Sequence, residues 1–172
     1  MNPLTIRPAT AADAATLTAL GARTFRDTFG AHNTPEDMEA FFASHYREEI
    51  QLAELADPRN LYLLAEVSGT PAAFALLRDS PPEKGVPGSR PLMLMRLYVD
   101  QPFLGAKVGA ALMNRCVEEA RARGHDVLWL GVWEHNTRAR AFYAKWGFSE
   151  VGEMTFLLGN DVQRDHVLAL WL

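Results

Sequence analysis

The chain has 172 residues, of which 48% are apolar and 22% are charged, and its formal net charge is −4 at pH 7. This length and apolar content predict one globular domain that spans residues 1–172. The negative balance gives no basic field of the kind that nucleic acid attracts, so we expect no nucleic-acid partner. Cys116 is the only cysteine, which excludes an internal disulfide and a cysteine-rich zinc cluster.

The sequence also indicates where the protein works. Residues 1–8 lack a basic segment followed by an apolar run, and no apolar stretch is long enough to cross a bilayer. A single cysteine suits a reducing compartment. We therefore expect a cytoplasmic protein without a membrane partner, and the sequence leaves a homodimer open.

The N-terminal half predicts a strand, two helices and a hairpin. A short strand ends at Pro8, and apolar residues at helical spacing follow it. A second helix begins near Pro35, because proline followed by acidic residues suits a first helical turn. The apolar runs 61–67 and 72–77 are joined at Gly69-Thr70, which predicts a β-hairpin.

The C-terminal half predicts an alternation of strands and helices. A proline-rich loop precedes an apolar strand, 92–99, which we expect to be covered on both faces. The clearest helix begins at Val108 and ends before Gly124. The remaining elements are a strand at 127–132, a helix that ends at Gly147, and strands near 151–157 and 166–171. Together these elements predict an α/β (α+β) fold with about seven strands in a mixed sheet and about four helices on its faces.

A glycine-bearing turn from Leu104 to Gly109 joins the strand that breaks at Pro102 to the N-terminus of the clearest helix. Unpaired amides and the positive end of the helix dipole make such a terminus a ready site for a pyrophosphate. The glycines at 105 and 109 permit a close approach of the backbone. In an arbitrary domain, however, a purely structural turn is favoured by about three to one.

The pyrophosphate interpretation of this turn is strengthened by the segment that begins at Asn136. Asn136, then Ala139 to Tyr143, then Gly147-Phe148 resemble the Asn and Ala-x-x-Phe-Tyr-x-x-x-Gly-Phe pattern of the GNAT superfamily of N-acetyltransferases. The family turn is Gln/Arg-x-x-Gly-x-Gly/Ala. Here Leu104 stands where Gln or Arg is common, and Lys107 stands where the second Gly is common.

More narrowly, residues 97–99, 130–136 and 156–165 are similar to the bacterial branch typified by spermidine/spermine N-acetyltransferases. Residues before 90 match the superfamily only in the pattern of elements. The resemblance implies a GNAT-like domain with a mostly antiparallel sheet. It also implies acetyl-CoA as the acyl donor, no metal, and direct attack by a primary amine of a polyamine-like or amino-acid-like small molecule.

The resemblance implies a set of cofactor-binding residues on the broken strand, the turn and the following helix. These are Leu97, Tyr98, Val99, Leu104, Gly105, Ala106, Lys107, Val108, Gly109, Ala110, Asn136, Ala139, Phe142 and Lys145. The amide near Val99 would polarise the thioester carbonyl, a large catalytic term. Lys107 has two interpretations, a phosphate contact or a solvated surface lysine.

Tyr143 aligns with the tyrosine that donates a proton to the departing CoA thiolate in many relatives. A phenol keeps its proton at neutral pH and can pass it to a basic leaving group, so we predict Tyr143 as the catalytic acid. Without the resemblance, a core role beside Phe142 would be favoured. Asn136 is a plausible N-cap whether or not a ligand binds.

The acceptor site falls, by resemblance, in the region around Phe25 to Tyr46. The substrate residues predicted are Phe29, Tyr46, Trp133 and Glu134. A polyamine would call for several carboxylates, and Asp27, Glu36, Asp37 and Glu39 lie in or near this region. The sequence does not identify the base that deprotonates the amine. Glu66 and Glu134 are candidates, but glutamates are more often exposed or paired in a salt bridge than catalytic.

Three other functions stay open at this point. A noncatalytic acyl-CoA-binding regulatory module would keep the cofactor cleft, and the apolar residues 92–95 suit it because relatives often carry a carboxylate there. A protein or peptide N-acetyltransferase would use another acceptor. A nucleotide-binding α/β protein is the weakest, since the turn lacks the Gly-x-Gly-x-x-Gly spacing.

Overall fold

A single seven-stranded sheet forms the centre of the molecule, and the computed structural model describes residues 2–172. The strands are β1 (Leu4–Pro8), β2 (Asn60–Val67), β3 (Thr70–Arg78), β4 (Pro91–Val99), β5 (Val127–Trp133), β6 (Ser149–Leu158) and β7 (Asp161–Trp171). Their order across the sheet is β1-β2-β3-β4-β5-β7-β6. Only β4 and β5 pair in parallel. The prediction of a mixed, mostly antiparallel sheet is confirmed.

Five helices cover the sheet, one more than the sequence predicted. They are α1 (Ala14–Phe29), α2 (Pro35–His45), α3 (Glu48–Ala56), α4 (Val108–Ala122) and α5 (Thr137–Lys145). The missing one was α3, whose only fully buried residue is the polar Gln51. Its side chain bonds the Thr18 hydroxyl at 3.0 Å and the His45 carbonyl at 2.6 Å. An apolar stripe is the signal for a helix, and α3 is held by hydrogen bonds instead.

The helices divide between the two faces of the sheet. The apolar sides of α4 and α5 pack on one face, where Leu112, Met113 and Cys116 lie fully buried among strand residues. The other face is covered by α1 and α2, whose contacts are largely aromatic. The two hydrophobic layers hold the sheet between them.

A β-bulge in β4 redirects its side chains. Leu94 and Arg96 pair with the consecutive residues Leu77 and Leu76 of β3, so Met95 is an extra residue in the strand. Leu94 therefore faces α4, whereas Arg96 and Tyr98 face the side of α1 and α2. Met95 is 40% exposed, so the expectation that this strand is covered on both faces is wrong there.

The parallel pairing of β4 with β5 is short. It comprises Pro91 with Val127, Leu92 with Leu128 and Met93 with Trp129. Beyond Met93 the two strands diverge, and the later residues of β4 have no partner on β5 within the described chain. An unpaired strand edge presents backbone N–H and C=O groups to whatever enters the gap. This divergence positions the candidate site.

The last two strands are longer than the sequence predicted. β7 begins at Asp161 rather than near residue 166, and a turn at Gly159-Asn160 connects it to β6. The Asn160 amide donates to Asp37 Oδ1 at 2.9 Å, which ties this hairpin to α2. The longer β7 brings Asp165 inside the sheet. No helix among residues 2–172 combines the length and apolar character needed to cross a bilayer.

Candidate active site

Two cavities meet in the gap between β4 and β5. We call the first the turn cleft, which lies between α1, the end of β4, residues 101–110 and α5 and has a volume of about 420 Å³. We call the second the aromatic cavity, which lies between α1, α2 and strands β4 to β7 and has a volume of about 230 Å³. Five residues line both cavities, namely Leu97, Tyr98, Asn136, Ala139 and Tyr143. A molecule in one cavity can therefore touch a molecule in the other.

The turn cleft ends at a row of free backbone amides. Within residues 2–172, the N–H groups of Gly105, Lys107, Val108, Gly109 and Ala110 donate no hydrogen bond. The last three belong to the first turn of α4, where the dipole adds positive charge. The cationic side chain of Arg138 also lines the cleft. This combination can hold an anion such as a pyrophosphate.

Two residues of the turn have left-handed backbone conformations. Gly105 has φ of 81°, with open space where a side chain would be, so glycine serves the conformation there rather than a close contact. Lys107 has φ of 62° and is the N-cap residue of α4. A side chain other than glycine pays about 1 kcal/mol for that conformation. Gly109 is the position of close approach, since a Cβ there would lie 3.4 Å from Val99 Cγ2.

The aromatic cavity has a wall of stacked rings. The Phe25 ring stacks on Phe41 at 4.1 Å between centroids, and Phe41 stacks on His45 at 3.9 Å. Phe29 continues this wall, with its ring centroid 4.4 Å from that of Phe25 and 5.4 Å from that of Trp133. Burial lowers the pKa of His45, so its imidazole is neutral at pH 7. The wall is apolar and uncharged.

A buried ion pair closes the cavity toward α3. The Arg96 guanidinium donates to Glu54 at 2.8 and 3.3 Å and to the Tyr62 hydroxyl at 2.6 Å. Its carbon also lies 5.4 Å from the centroid of the Tyr46 ring. Since the positive charge of Arg96 is matched by Glu54, this wall carries no net charge.

Asp165 is the other charged group in the aromatic cavity. Its side chain is on β7, opposite Trp133 of β5, and the residue is 7% exposed. Neither carboxylate oxygen accepts a hydrogen bond from residues 2–172, and Oδ1 is fully buried without a partner. Burial, with a smaller contribution from Glu134, raises the pKa of Asp165 to about 6, against an opposing effect of His166. A buried polar group without a partner is rare and calls for an explanation.

Tyr143 lies where the two cavities join. Its ring packs between Phe142 and Phe148, at centroid distances of 5.4 and 5.5 Å. Its hydroxyl donates no hydrogen bond in the part of the chain that the structure describes. Burial raises the pKa of this hydroxyl above its ordinary value, so the proton is retained at neutral pH.

Comparison with known proteins identifies the family. The family model described as "Acetyltransferase (GNAT) family" matches residues 24–148. The chain belongs to the GNAT acetyltransferase family. The prediction from the sequence motifs is thereby confirmed.

Named relatives of this GNAT protein agree with the assignment. An uncharacterized N-acetyltransferase from Lactobacillus delbrueckii subsp. lactis is 35% identical over 150 residues, which is 87% of each chain. An uncharacterized N-acetyltransferase from Mycobacterium tuberculosis H37Rv is 33% identical over 156 residues, covering 91% of this chain and 96% of that one. The protein is therefore an N-acetyltransferase.

A solved structure shares its fold. The PaiA N-acetyltransferase from Thermoplasma acidophilum, solved in complex with coenzyme A, superposes with a TM-score of 0.80 at 20% identity and covers 99% of both chains. The order of strands and helices thus recurs although few residues are identical.

Most of the cofactor-binding residues that the sequence predicted line the turn cleft of this GNAT protein. Of the predicted cofactor-binding residues, those that line the turn cleft are Leu97, Tyr98, Val99, Leu104, Gly105, Lys107, Gly109, Ala110, Asn136, Ala139 and Phe142. Ala106 and Val108 belong to the turn without lining the cleft, and Lys145 is exposed and lines neither cavity. The Asn136 side chain caps α5 by accepting from the Ala139 amide at 3.2 Å.

Three of the four predicted acceptor residues line the same cavity, and the fourth does not. Phe29, Tyr46 and Trp133 line the aromatic cavity, whereas Glu134 lines neither cavity and lies 3.3 Å from His135. Glu66, the other candidate base, pairs with Arg7 at 3.3 Å and also lines neither cavity. Sequence reasoning missed Arg96 and Asp165. Asp165 lies in a polar stretch just before the strand predicted near 166–171, so nothing in the sequence indicated that it belongs to a strand.

Within residues 2–172, no group of three or more His, Cys, Asp or Glu side chains is arranged to hold a metal ion.

Proposed function

We propose that this protein transfers the acetyl group of acetyl-CoA to the primary amine of a small molecule. The observation that carries the proposal is the meeting of the turn cleft and the aromatic cavity at Leu97, Tyr98 and Tyr143. A donor in the cleft and an acceptor in the cavity would hold the two reacting atoms in contact. Such placement converts a bimolecular step into an effectively unimolecular one.

The turn cleft suits coenzyme A as the donor. The free amides between Gly105 and Ala110 face the place where the pyrophosphate would bind, and Lys107 and Arg138 supply positive charge nearby. The pantetheine arm would then follow the open edge of β4 toward Val99. Backbone groups on that edge have no partner on β5, so they are available to the arm and to the thioester carbonyl.

The aromatic cavity suits the body of a small acceptor. It is lined by ring and methionine side chains, and Arg96 closes one side of it. Apolar lining with few polar groups is typical of small-molecule sites. We propose that Phe29, Tyr46 and Trp133 contact the acceptor there.

The chemistry is a direct displacement at the thioester. The neutral amine nitrogen attacks the carbonyl carbon, a C–N bond forms, and the C–S bond breaks with its electron pair going to sulfur. The acylated nitrogen gives up one proton to become an amide, and this proton replaces the one that the thiolate takes. We propose that Tyr143 donates the proton that turns the departing thiolate into a thiol. Its hydroxyl makes no competing hydrogen bond to the described residues and stays protonated, which suits a general acid.

The test has a binding arm and a turnover arm. Calorimetry would compare acetyl-CoA, desulfo-CoA and ATP, and the release of CoA thiol would then be measured with monoamines, polyamines, amino acids and N-terminal peptides. We expect both CoA compounds to bind, ATP to bind far more weakly, and a small amine to release thiol.

Each alternative outcome has a defined meaning. Absence of CoA binding would reject the donor site. Binding without thiol release from any acceptor would favour a noncatalytic acyl-CoA-binding module. Release with peptides alone would replace the small amine with a protein acceptor.

A further inference from the structure

We propose that Asp165 binds the ammonium group of the acceptor and takes its proton, and that the acceptor carries a single positive charge on an apolar body. This inference rests on the proposed function, since it identifies the group that prepares the amine. It assigns the base that neither Glu66 nor Glu134 supplies. Within residues 2–172, Asp165 is the one carboxylate that lines the aromatic cavity.

The first support is the unmatched charge. Arg96 is matched by Glu54, and His45 is neutral because burial lowers its pKa. The carboxylate of Asp165 has neither an ion-pair partner nor a hydrogen bond among the described residues, although 93% of the residue is removed from solvent. Burying a carboxylate alone is costly, and an ammonium ion beside it removes much of that cost. The cavity is therefore complementary to one cation.

The second support is the position of the carboxylate. Asp165 and Trp133 occupy paired positions on β7 and β5, so both side chains project from the same face of the sheet. Gly131 lies on that face too, and a Cβ there would be 3.2 Å from Asp165 Oδ2. The missing side chain at 131 leaves the carboxylate open to the cavity. An ammonium group bound there would also meet the ring of Trp133, a favourable cation–π partner.

The third support concerns the number of charges on the acceptor. The acidic residues that would suit a polyamine do not reach the aromatic cavity: Asp27 lines the turn cleft, and Asp37 accepts from the Asn160 amide. Glu36 and Glu39 line neither cavity. A second ammonium would have no carboxylate to meet, whereas an apolar body would meet Phe25, Phe29 and Phe41.

The proton balance follows from this placement. The acceptor arrives as an ammonium ion at neutral pH, and one of its protons passes to the carboxylate of Asp165, which becomes a carboxylic acid. The freed nitrogen lone pair forms the C–N bond, and sulfur receives its proton from Tyr143. The acylated nitrogen then gives up its second proton, which restores the hydroxyl of Tyr143, and Asp165 releases the first proton to solvent. The pKa of Asp165, about 6, lies close to neutral pH, where a general base is effective.

Two neighbouring charges affect the pKa of Asp165, and five other ionisable side chains line the same cavity. On neighbouring positions Glu134 raises its pKa and His166 lowers it, and His166 is itself paired with Glu150 at 2.8 Å. The ionisable side chains that line the same cavity are His45, Tyr46, Arg96, Tyr98 and Tyr143. His45 is the one among these five whose ordinary pKa, 6.5, lies close to that of Asp165, and burial lowers the pKa of His45. A pH profile alone therefore does not identify the titrating group, and a variant is needed.

The experiment compares the wild type with Asp165→Asn, and uses Glu153→Gln as a matched control. Glu153 is an exposed carboxylate on the adjacent strand that pairs with Arg164. Thiol release is measured from pH 5 to 9 with 2-phenylethylamine, which has one ammonium, and with spermidine. We expect wild-type kcat/KM for 2-phenylethylamine to fall below about pH 6 and to exceed that for spermidine by about 10-fold or more.

For Asp165→Asn we expect kcat/KM to drop by about 100-fold or more and the fall near pH 6 to disappear, because a general base typically contributes that much. Glu153→Gln should stay within about twofold of the wild type. Unchanged rate and pH profile in Asp165→Asn, or a preference for spermidine, would overturn the inference while leaving the proposed function intact.

A binding measurement keeps the two proposals separate. Calorimetry of 2-phenylethylamine on the desulfo-CoA complex should give at least about 10-fold tighter binding to the wild type than to Asp165→Asn at pH 7.5. If no amine releases thiol, the proposed function fails, yet this binding difference still tests the ammonium site. Equal binding, or none, would reject Asp165 as that site. Circular dichroism confirms that each variant is folded.

Discussion

Gly131 faces the carboxylate of Asp165 so closely that a side chain on Gly131 would be in tight contact with it. A Cβ on Gly131 would lie 3.2 Å from Asp165 Oδ2 and 2.7 Å from Met154 Sδ. The methionine is flexible and can move, and because it lines the aromatic cavity its displacement would change the shape of that cavity. The glycine thus keeps open the part of the cavity that holds the free carboxylate.

Gly131→Ala should therefore weaken acceptor binding without affecting the donor. We expect the acceptor KM to rise about 5-fold or more and the dissociation constant of acetyl-CoA to stay within about twofold. Overpacking of this kind should also lower the free energy of unfolding by about 1–2 kcal/mol. Gly30→Ala serves as the control, since its Cβ would meet only the flexible Arg26 Cγ at 3.3 Å. An unchanged acceptor KM would show that this end of the cavity does not take the acceptor.

Tyr143→Phe removes the proposed acid and keeps the ring between Phe142 and Phe148. We expect turnover to fall by about 100-fold or more and acetyl-CoA affinity to change little, because the hydroxyl acts on the departing thiolate. Tyr62→Phe controls for the loss of a buried hydroxyl outside both cavities: this hydroxyl bonds Arg96 and Glu54, so its removal should lower the free energy of unfolding and reduce turnover far less than Tyr143→Phe does. Full turnover in Tyr143→Phe, with the chemical step shown to be rate-limiting, would reject the assignment.

An uncharged variant of Lys107 distinguishes a phosphate contact from a solvated surface lysine. If its ammonium contacts phosphate, Lys107→Met should weaken acetyl-CoA binding by about 3- to 5-fold at low salt, and the difference should shrink at high salt. A solvated surface lysine predicts no change at either salt concentration. Lys107→Gly should in addition raise the free energy of unfolding by about 1 kcal/mol, because φ is 62° at this position. Calorimetry and urea unfolding measure the two effects.

Asp165 should also make the stability of the fold depend on pH. Its pKa is about 6 in the folded protein and near 3.8 when unperturbed, so the folded state holds more protons between these values. The free energy of unfolding therefore decreases as the pH rises from about 4 to 6. Above this window the ionised carboxylate costs on the order of 2–3 kcal/mol.

The side chain in Asp165→Asn does not titrate, so the free energy of unfolding of this variant should not show this decrease. The variant should become more stable relative to the wild type as the pH rises through the same window, by an amount of that order. Urea unfolding at pH 4, 5, 6 and 7 measures the difference. A difference that does not vary with pH would show that this carboxyl does not titrate there.

Glu54→Gln should be strongly destabilising, because it leaves the buried Arg96 without a matching charge. We expect the free energy of unfolding to fall by about 3 kcal/mol. Glu119→Gln is a suitable comparison, since Glu119 has the same 18% side-chain exposure but pairs with the more exposed Arg115 and Arg123. That change should cost less than about 1 kcal/mol. Similar losses in the two variants would contradict the role given to the buried pair.

The conformation of the turn from Leu104 to Gly109 was predictable because it depends on local backbone geometry. A broken strand, a left-handed glycine and a helix N-terminus are specified by neighbouring residues. The same holds for Asn136 as a helix cap and for the pairing of β2 with β3. By contrast, α3 was missed because hydrogen bonds from Gln51, rather than an apolar stripe, hold it in place.

The sequence by itself determined the family and the general order of strands and helices, and it predicted most of the residues that line the turn cleft. Each of these rests on short motifs or on the period of the apolar residues. Only the tertiary structure decided the acceptor side. Asp165, Gly131 and Arg96 come from three strands, and a bulge at Met95 and the early start of β7 decide which way two of them face. Burial and the absence of a partner, which make Asp165 chemically distinctive, arise only when distant segments pack together.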